Sequence, residues 1–185
     1  MCHAACLDFG ARQLTPAEVD GREVLEVGAL DVNGSLRGVV QAMQPRRYLG
    51  VDLQPGPGVD EICDACDLLA RFGEASFDLV LCTEMLEHAR RWREAVHNLK
   101  GVLRSGGVLL LTTRSRGFPR HDFPEDCWRF ELADCVRIFA DLEILTLESD
   151  REAPGVLLKA LKPGNFREVD LADYAVGAVE GNSAS

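Results

Sequence analysis

Acidic, histidine and glycine residues recur in this chain just after runs of branched apolar residues, where a strand would deliver side chains to a sheet edge. Glu26-Val27-Gly28 ends the first such run. A glycine there lets the backbone approach a ligand beside a helix N-terminus, and an acid just before it can meet a cation or a hydroxyl. Asp52, with Leu53 beside it, ends the second run. Its two oxygens can hold both hydroxyls of a ribose, or it can serve as a turn or cap aspartate. Glu87-His88 follows a third run, where a base would reach across the sheet edge unless His88 caps the next helix. A fourth run leads to His121-Asp122-Phe123-Pro124-Glu125-Asp126-Cys127-Trp128-Arg129-Phe130, which mixes titratable, aromatic and cationic groups. In a functional reading His121 is a base and Asp122, Trp128 and Arg129 shape a substrate pocket. In a structural one Asp122 or Pro124 starts a helix, and Trp128 and Phe130 fill core.

The elements that must position these groups alternate between strand and helix patterns, as in βαβ units on a parallel sheet. Strands are expected at Glu23–Val27, Tyr48–Val51, Glu61–Cys63, Phe77–Cys82 and Val108–Thr113, the last apolar on both faces and so central. Leu36, Val39, Val40 and Met43 share a helical face that Pro45 ends, and Leu68 to Phe72 reads as a brief helix. Ala89, Trp92, Ala95, Val96, Leu99, Val102 and Leu103 trace a longer helix closed by Gly106-Gly107, with Trp92 in its buried stripe and His97 on its surface. Pro124 to Phe139 is expected to be helical. Leu142–Leu147 and Val156–Leu161 flank Ala153-Pro154-Gly155 as a closing antiparallel hairpin. The expected organisation is one domain over residues 1–165, opened by a helical or loop segment at 1–20. An acidic tail over 166–185 is expected as a surface helix or disorder.

With 30 acidic and 20 basic residues among 185, the formal net charge is −10. Generic nucleic-acid binding is therefore disfavoured; Arg90-Arg91-Trp92-Arg93 and the stretch from Arg114 to Arg120 read as solvated faces or local anion contacts. No apolar run reaches the roughly 20 residues that cross a bilayer, and the first residues lack a basic start and long apolar stretch. A cytoplasmic protein is expected. Seven cysteines, an odd number, suit reduced thiols. Neither Cys63-x-x-Cys66 nor Cys2-His3-x-x-Cys6 has the second half of a structural zinc site, so no metal is expected.

Val24-Leu25-Glu26-Val27-Gly28, Leu49-Gly50-Val51-Asp52, Cys63-Asp64-Ala65, Ser76-Phe77-Asp78-Leu79-Val80, Leu86-Glu87-His88 and Leu103-Arg104-Ser105-Gly106-Gly107-Val108-Leu109 stand in that order. Together they resemble the successive motifs of the class I, Rossmann-like S-adenosylmethionine-dependent methyltransferases, in particular small bacterial ones of the type-11 kind. The resemblance covers residues 20 to 160 and implies an α/β fold. Its sheet would be doubly wound, mostly parallel and seven-stranded, with a C-terminal antiparallel hairpin and helices on both faces. It implies S-adenosyl-L-methionine as cofactor, with Glu26 and Gly28 near the methionine part and Asp52 and Leu53 at the ribose. Asp64 and Ala65 would meet the adenine, and Thr83 and Glu84 line the methyl-transfer region. The loop after Gly28 departs from the family's more glycine-rich pattern. Asn33-Gly34 can turn it differently, and the extra carboxylate of Asp31 can attract the cofactor's ammonium.

The activity implied is in-line transfer of a methyl group to a small-molecule acceptor, such as a saccharide or secondary metabolite, with His121, His88 and Glu87 as candidate catalytic groups. A homodimer could complete the acceptor pocket. A cofactor-binding module without catalysis is the main rival. A nicotinamide-dependent oxidoreductase is disfavoured by the hairpin, by the incomplete glycine loop, and because neither Tyr48 nor Tyr174 is followed by lysine at the spacing that chemistry uses.

Overall fold

A computed structural model describes residues 4–121 and 125–179. Nine strands are assigned among them: β1 Glu23–Val27, β2 Arg47–Asp52, β3 Glu61–Ile62, β4 Phe77–Thr83, β5 Leu103–Arg114, β6 Trp128–Arg129, β7 Glu143–Ser149, β8 Gly155–Leu161 and β9 Gly177–Ala178. Seven form one sheet in the order β3-β2-β1-β4-β5-β8-β7. The first five run parallel, and β8 is inserted antiparallel between β5 and β7. The chain winds outward from β1 in one direction and from β4 in the other, so a crevice opens beyond the carboxyl ends of these two strands.

The α-helices are α1 Ala4–Gln13, α2 Pro16–Val19, α3 Arg37–Ala42, α4 Leu68–Phe72, α5 Trp92–Val102 and α6 Leu132–Ile138, with single 3-10 turns at Ala65–Asp67 and Leu86–His88. Strand side chains alternate between two buried clusters, as the pleat requires. Leu79 and Leu81 of β4 and Val108 and Leu110 of β5 meet Cys6 and Phe9 of α1 and Val40 of α3. Val80, Cys82, Leu109 and Leu111 meet Trp92, Val96 and Leu99 of α5 and Ile138 of α6. Burial on both faces is why the central strands read as continuous apolar runs. Trp92 is fully enclosed and stands edge-to-face with Phe130 at 5.8 Å, whereas His97 is exposed and pairs with Glu168.

Three expectations change. The helix α5 ends at Val102, and Gly106-Gly107 lie within β5, whose first residue Leu103 already pairs with Phe77. Its terminal carbonyls are satisfied instead by Lys162, whose ammonium donates to Lys100 O and Leu103 O at 2.7 Å each. Among the described residues of the helix expected over Pro124–Phe139, only Leu132–Ile138 is α-helical, because Trp128 and Arg129 pair antiparallel with Ala178 and Gly177. Residues 166–179 form neither a surface helix nor a free tail. Phe166, Val169, Leu171, Tyr174 and Val176 pack against the core and carry β9 back to β6.

Candidate functional site

The crevice at the sheet's carboxyl edge is a cleft of about 930 Å³ measured out to its open mouth. Glu26, Gly28, Asp52, Leu53, Asp64, Ala65, Thr83 and Glu84 all line it. Gly28 has φ +81°, and a side chain there would stand 2.7 Å from Met85 Cβ, so both the turn and the packing demand glycine. Its N–H and that of Ala29 donate to Val51 O at 3.0 Å, holding the loop onto β2. Asp31 is not on the cleft wall; its carboxylate accepts from Gly34 N at 2.8 Å and folds the loop on itself.

Glu26 is almost wholly buried and accepts from Tyr48 Oη at 2.6 Å and from Ser35 Oγ. Burial pushes its carboxyl up to about 7, against the opposing hydrogen bonds and the Arg37 charge. Asp52 ends β2 and accepts from Leu30 N at 3.1 Å and Gln54 N at 3.3 Å, one bond on each oxygen. Asp64 accepts from Cys66 N at 2.8 Å, capping the 3-10 turn, and Ala65 lies beside it. Two aliphatic side chains of the cleft stay largely uncovered, Leu53 at 54% and Val32 at 46% exposure. They offer apolar area that a flat ligand can cover.

Glu84 follows β4 with φ +53°, a conformation that costs a non-glycine residue energy and is stored mostly at functional positions. Its carboxylate is committed to protein partners: it accepts from Thr112 Oγ1 at 2.9 Å and Cys6 Sγ at 3.4 Å, and it pairs with Arg114. Burial first, then the charge of Glu87, pushes it up to about 7.

Glu87, His88 and His121 come together beside this cleft, and of the three only His88 lines it. Glu87 is fully buried; one oxygen accepts from Thr113 Oγ1 at 2.9 Å, while Oε1 has no hydrogen-bond partner and lies 3.9 Å from His88 Nε2. His88 lines the cleft, and its Nδ1 bonds the carbonyl of Glu125. A carbonyl only accepts, so Nδ1 carries a hydrogen, and in a neutral ring Nε2 is the atom with the lone pair. The His88 and His121 rings meet edge-to-face at 4.8 Å, and Phe118 packs on His121 at 5.0 Å. Burial lowers His121 from its ordinary value, although Asp126 opposes this.

Asp122 lies outside the described residues. Trp128 is half-buried and donates from Nε1 to Ala89 O at 2.9 Å. Arg129 is 6% exposed and spends its guanidinium on Asp126 and on main-chain carbonyls, which leaves it bracing the site rather than facing a substrate. Reasoning from sequence missed Ser35, Cys63, Met85 and Ala89 on the cleft wall, and missed Asp126 behind His121. Only Asp126 carried a signal, an acid three residues before an arginine.

Among the described residues, Glu87, His88 and His121 form the one group able to share a metal ion, with ligand atoms within 4.8 Å of one another. Donors on one zinc-sized ion stand only about 3–3.5 Å apart, given bonds near 2.0–2.2 Å, so the group is spread too widely to grip an ion as it stands. The six described cysteines are all buried, and burial pushes Cys66 up to about 12. Cys2 and His3 lie outside the described residues. No described helix is long and apolar enough to cross a membrane.

A family model described as a methyltransferase domain matches residues 7–111. The ubiquinone biosynthesis O-methyltransferase of Idiomarina loihiensis is 32% identical over 109 residues, 52% of this chain and 44% of that protein. The chain thus spans about half the length of the curated relatives it matches. Among solved structures, a 1,6-didemethyltoxoflavin-N1-methyltransferase from Burkholderia thailandensis, bound to S-adenosylhomocysteine, superposes with TM-score 0.63 at 18% identity, covering 86% of this chain and 79% of that one. The cyclase SpnF superposes with TM-score 0.64 at 17% identity, covering 85% and 80%. At such identities the likeness is one of fold, and the fold carries more than one reaction.

Proposed function

The chain belongs to the class I S-adenosylmethionine-dependent methyltransferases, and from that premise we propose that it methylates a hydroxyl oxygen of a small-molecule acceptor. The observation that carries the reading is the position of His88, which lines the cofactor cleft and also touches the ring of His121. Through His88 a cluster able to take a proton therefore borders the cleft whose wall also carries Thr83, Glu84 and Met85. The O-methyltransferase relatives support oxygen as the methylated atom.

The residues present fit the cofactor. Asp52 has two lone pairs left for ribose hydroxyls, and Leu53 and Val32 offer uncovered apolar surface. When bound, S-adenosylmethionine supplies a methyl group on a sulfonium. The chain's own work is to align the acceptor oxygen with that methyl, a positioning effect worth up to about 7–11 kcal/mol in well-oriented cases. His121 removes the acceptor's proton through Nε2, and His88, on the cleft wall, receives a further hydrogen bond from the acceptor.

Glu26 gives the cofactor's binding a pH dependence. Its raised value means that it is mostly protonated at pH 6 and mostly ionised at pH 8. Facing the methionine ammonium, the ionised form is favoured, so binding displaces a proton and affinity rises as pH increases from about 5.5 to 7.5. Calorimetry with S-adenosylhomocysteine in buffers of different ionisation enthalpy reads that proton directly, and Glu26→Gln abolishes the slope. A pH-independent affinity in the wild type would remove Glu26 from this role.

The function itself is tested by following S-adenosylhomocysteine release with panels of phenols, sugars and amines. Turnover confined to hydroxyl acceptors supports the reading, and turnover confined to amines overturns it. In the same assay a chelator is expected to leave the rate unchanged, because the donors of Glu87, His88 and His121 are spread more widely than those around a bound ion. Loss of activity with chelator and recovery with a divalent cation would reassign the cluster as a metal site.

A further inference from the structure

Behind His121 stands a carboxylate with no part in the steps above. Asp126 is fully buried, and both its oxygens are gripped by Arg129, at 2.5 Å from Nη1 and 2.6 Å from Nη2. Its Oδ2 also accepts from the main-chain N–H of His121 at 2.9 Å and lies 3.1 Å from the ring Nδ1. Arg129 in turn donates to the carbonyls of Trp128, Phe118 and Pro119 at 2.8, 3.3 and 3.4 Å. One ion pair thus ties the segment that leads into His121 to strand β6.

This arrangement has a chemical consequence for the imidazole. A carboxylate offers only lone pairs, so the hydrogen of a neutral His121 sits on Nδ1, and Nε2 is left as the basic atom. A ring flipped by half a turn would place carbon against Asp126 and forfeit that bond. His88 and Phe118 pack edge-on against the same ring and restrict its tilt. Burial alone would raise Asp126, but Arg129 and the His121 N–H overcome this and hold it below the ordinary aspartate range. The carboxylate therefore accepts a hydrogen bond without taking the proton.

We propose that Asp126 is a positioning residue for methyl transfer, fixing the tautomer and orientation of His121 so that Nε2 meets the acceptor hydroxyl, with Arg129 holding it in place. The proposal rests on the reading of His121 as base. In the step it serves, the acceptor O–H bond breaks and its proton joins Nε2. The oxygen's electron pair forms the new O–CH₃ bond, and the S–CH₃ pair remains on sulfur, giving a neutral thioether. Imidazolium then returns the proton to water. Asp126 faces the positive charge that the ring carries between those events.

Nitrogen-15 NMR of histidine-labelled protein near pH 8, with His121 assigned by its loss in His121→Gln, tests the proposal without any acceptor. The expected form is Nδ1–H in the wild type and Nε2–H in Asp126→Asn. In turnover, Asp126→Asn is expected to lower kcat about 100-fold or more, with KM for the cofactor within about twofold. Its acid limb should also move to lower pH. His121 is faced by Asp126 and Glu87, with His88 beside it and Arg129 behind, and losing one of the two anions makes its protonated form harder to reach. Should Asp126→Asn not fold, Arg129→Lys keeps the charge, loosens the clamp and is expected to give an intermediate loss of kcat. An Nε2–H tautomer in the wild type, or full kcat in both variants, overturns the proposal. If His121→Gln itself keeps full kcat, the base reading fails instead.

Discussion

Asp52→Ala is expected to weaken binding of S-adenosylhomocysteine by about 100-fold or more while leaving the fold intact. Asp52 ends β2 beside the sheet's switch point, and each carboxylate oxygen already accepts one main-chain N–H, from Leu30 or from Gln54. A carboxylate has about four acceptor sites, so two remain for the vicinal hydroxyls of a ribose. Hydrogen bonds to a charged group contribute about 1.5–3 kcal/mol each, and losing both corresponds to roughly 10²–10⁴ in affinity. Asp52→Asn, which keeps one oxygen, should fall between the two. Asp31→Ala provides the contrast. That carboxylate bonds Gly34 N and is not on the cleft wall, so affinity should stay within about threefold of the wild type. Calorimetric titration of the three variants, each checked by thermal melting, decides the matter. Unchanged affinity in a folded Asp52→Ala protein would place the ribose elsewhere, and a large loss in Asp31→Ala would return that residue to the cofactor.

What the sequence disclosed depended on whether a residue's role is set by its neighbours in the chain. The strand Phe77–Thr83 was legible from Phe77 to Cys82 because a strand buried on both faces needs an unbroken apolar run. The hairpin of β7 and β8 was legible because Pro154-Gly155 can only be a turn. Gly28 and Asp52 were found because each stands at the carboxyl end of a strand, which delivers it to the cleft, whereas Asp64 was reached only through the resemblance to the family. By contrast, β6 and β9 are two residues each and pair across nearly 50 positions, which leaves no periodicity to read. The apolar residues of 166–179 are spaced irregularly and gain their burial only from the surface they cross. Lys162 in its place at the end of α5, and Asp126 in its place behind His121, depend on tertiary neighbours in the same way. Arg129 illustrates the cost, since its chemistry suggested a substrate contact and its geometry commits it to Asp126.

His121→Gln is expected to lower kcat by about 10²–10⁴, the usual contribution of a positioned base, which is roughly 3–5.5 kcal/mol of barrier. Cofactor affinity should be unchanged, because His121 is not among the residues lining the cleft. The pH profile carries the sign. A base must be neutral, and burial lowers His121 below the ordinary histidine value even though Asp126 opposes it. The acid limb of kcat should therefore fall below about 6.5, the value of an unperturbed histidine, with the enzyme retaining its rate in mild acid. Glutamine preserves much of the volume but cannot hold a proton, so it separates proton transfer from packing. His88→Gln should cost less, because its ring is pinned to the Glu125 carbonyl and its free nitrogen faces the unpartnered oxygen of Glu87. If His121→Gln and His88→Gln both retain full kcat, alignment alone accounts for the rate. The acceptor would then be a group that reaches the cleft without a proton to lose, and oxygen methylation would give way to another atom.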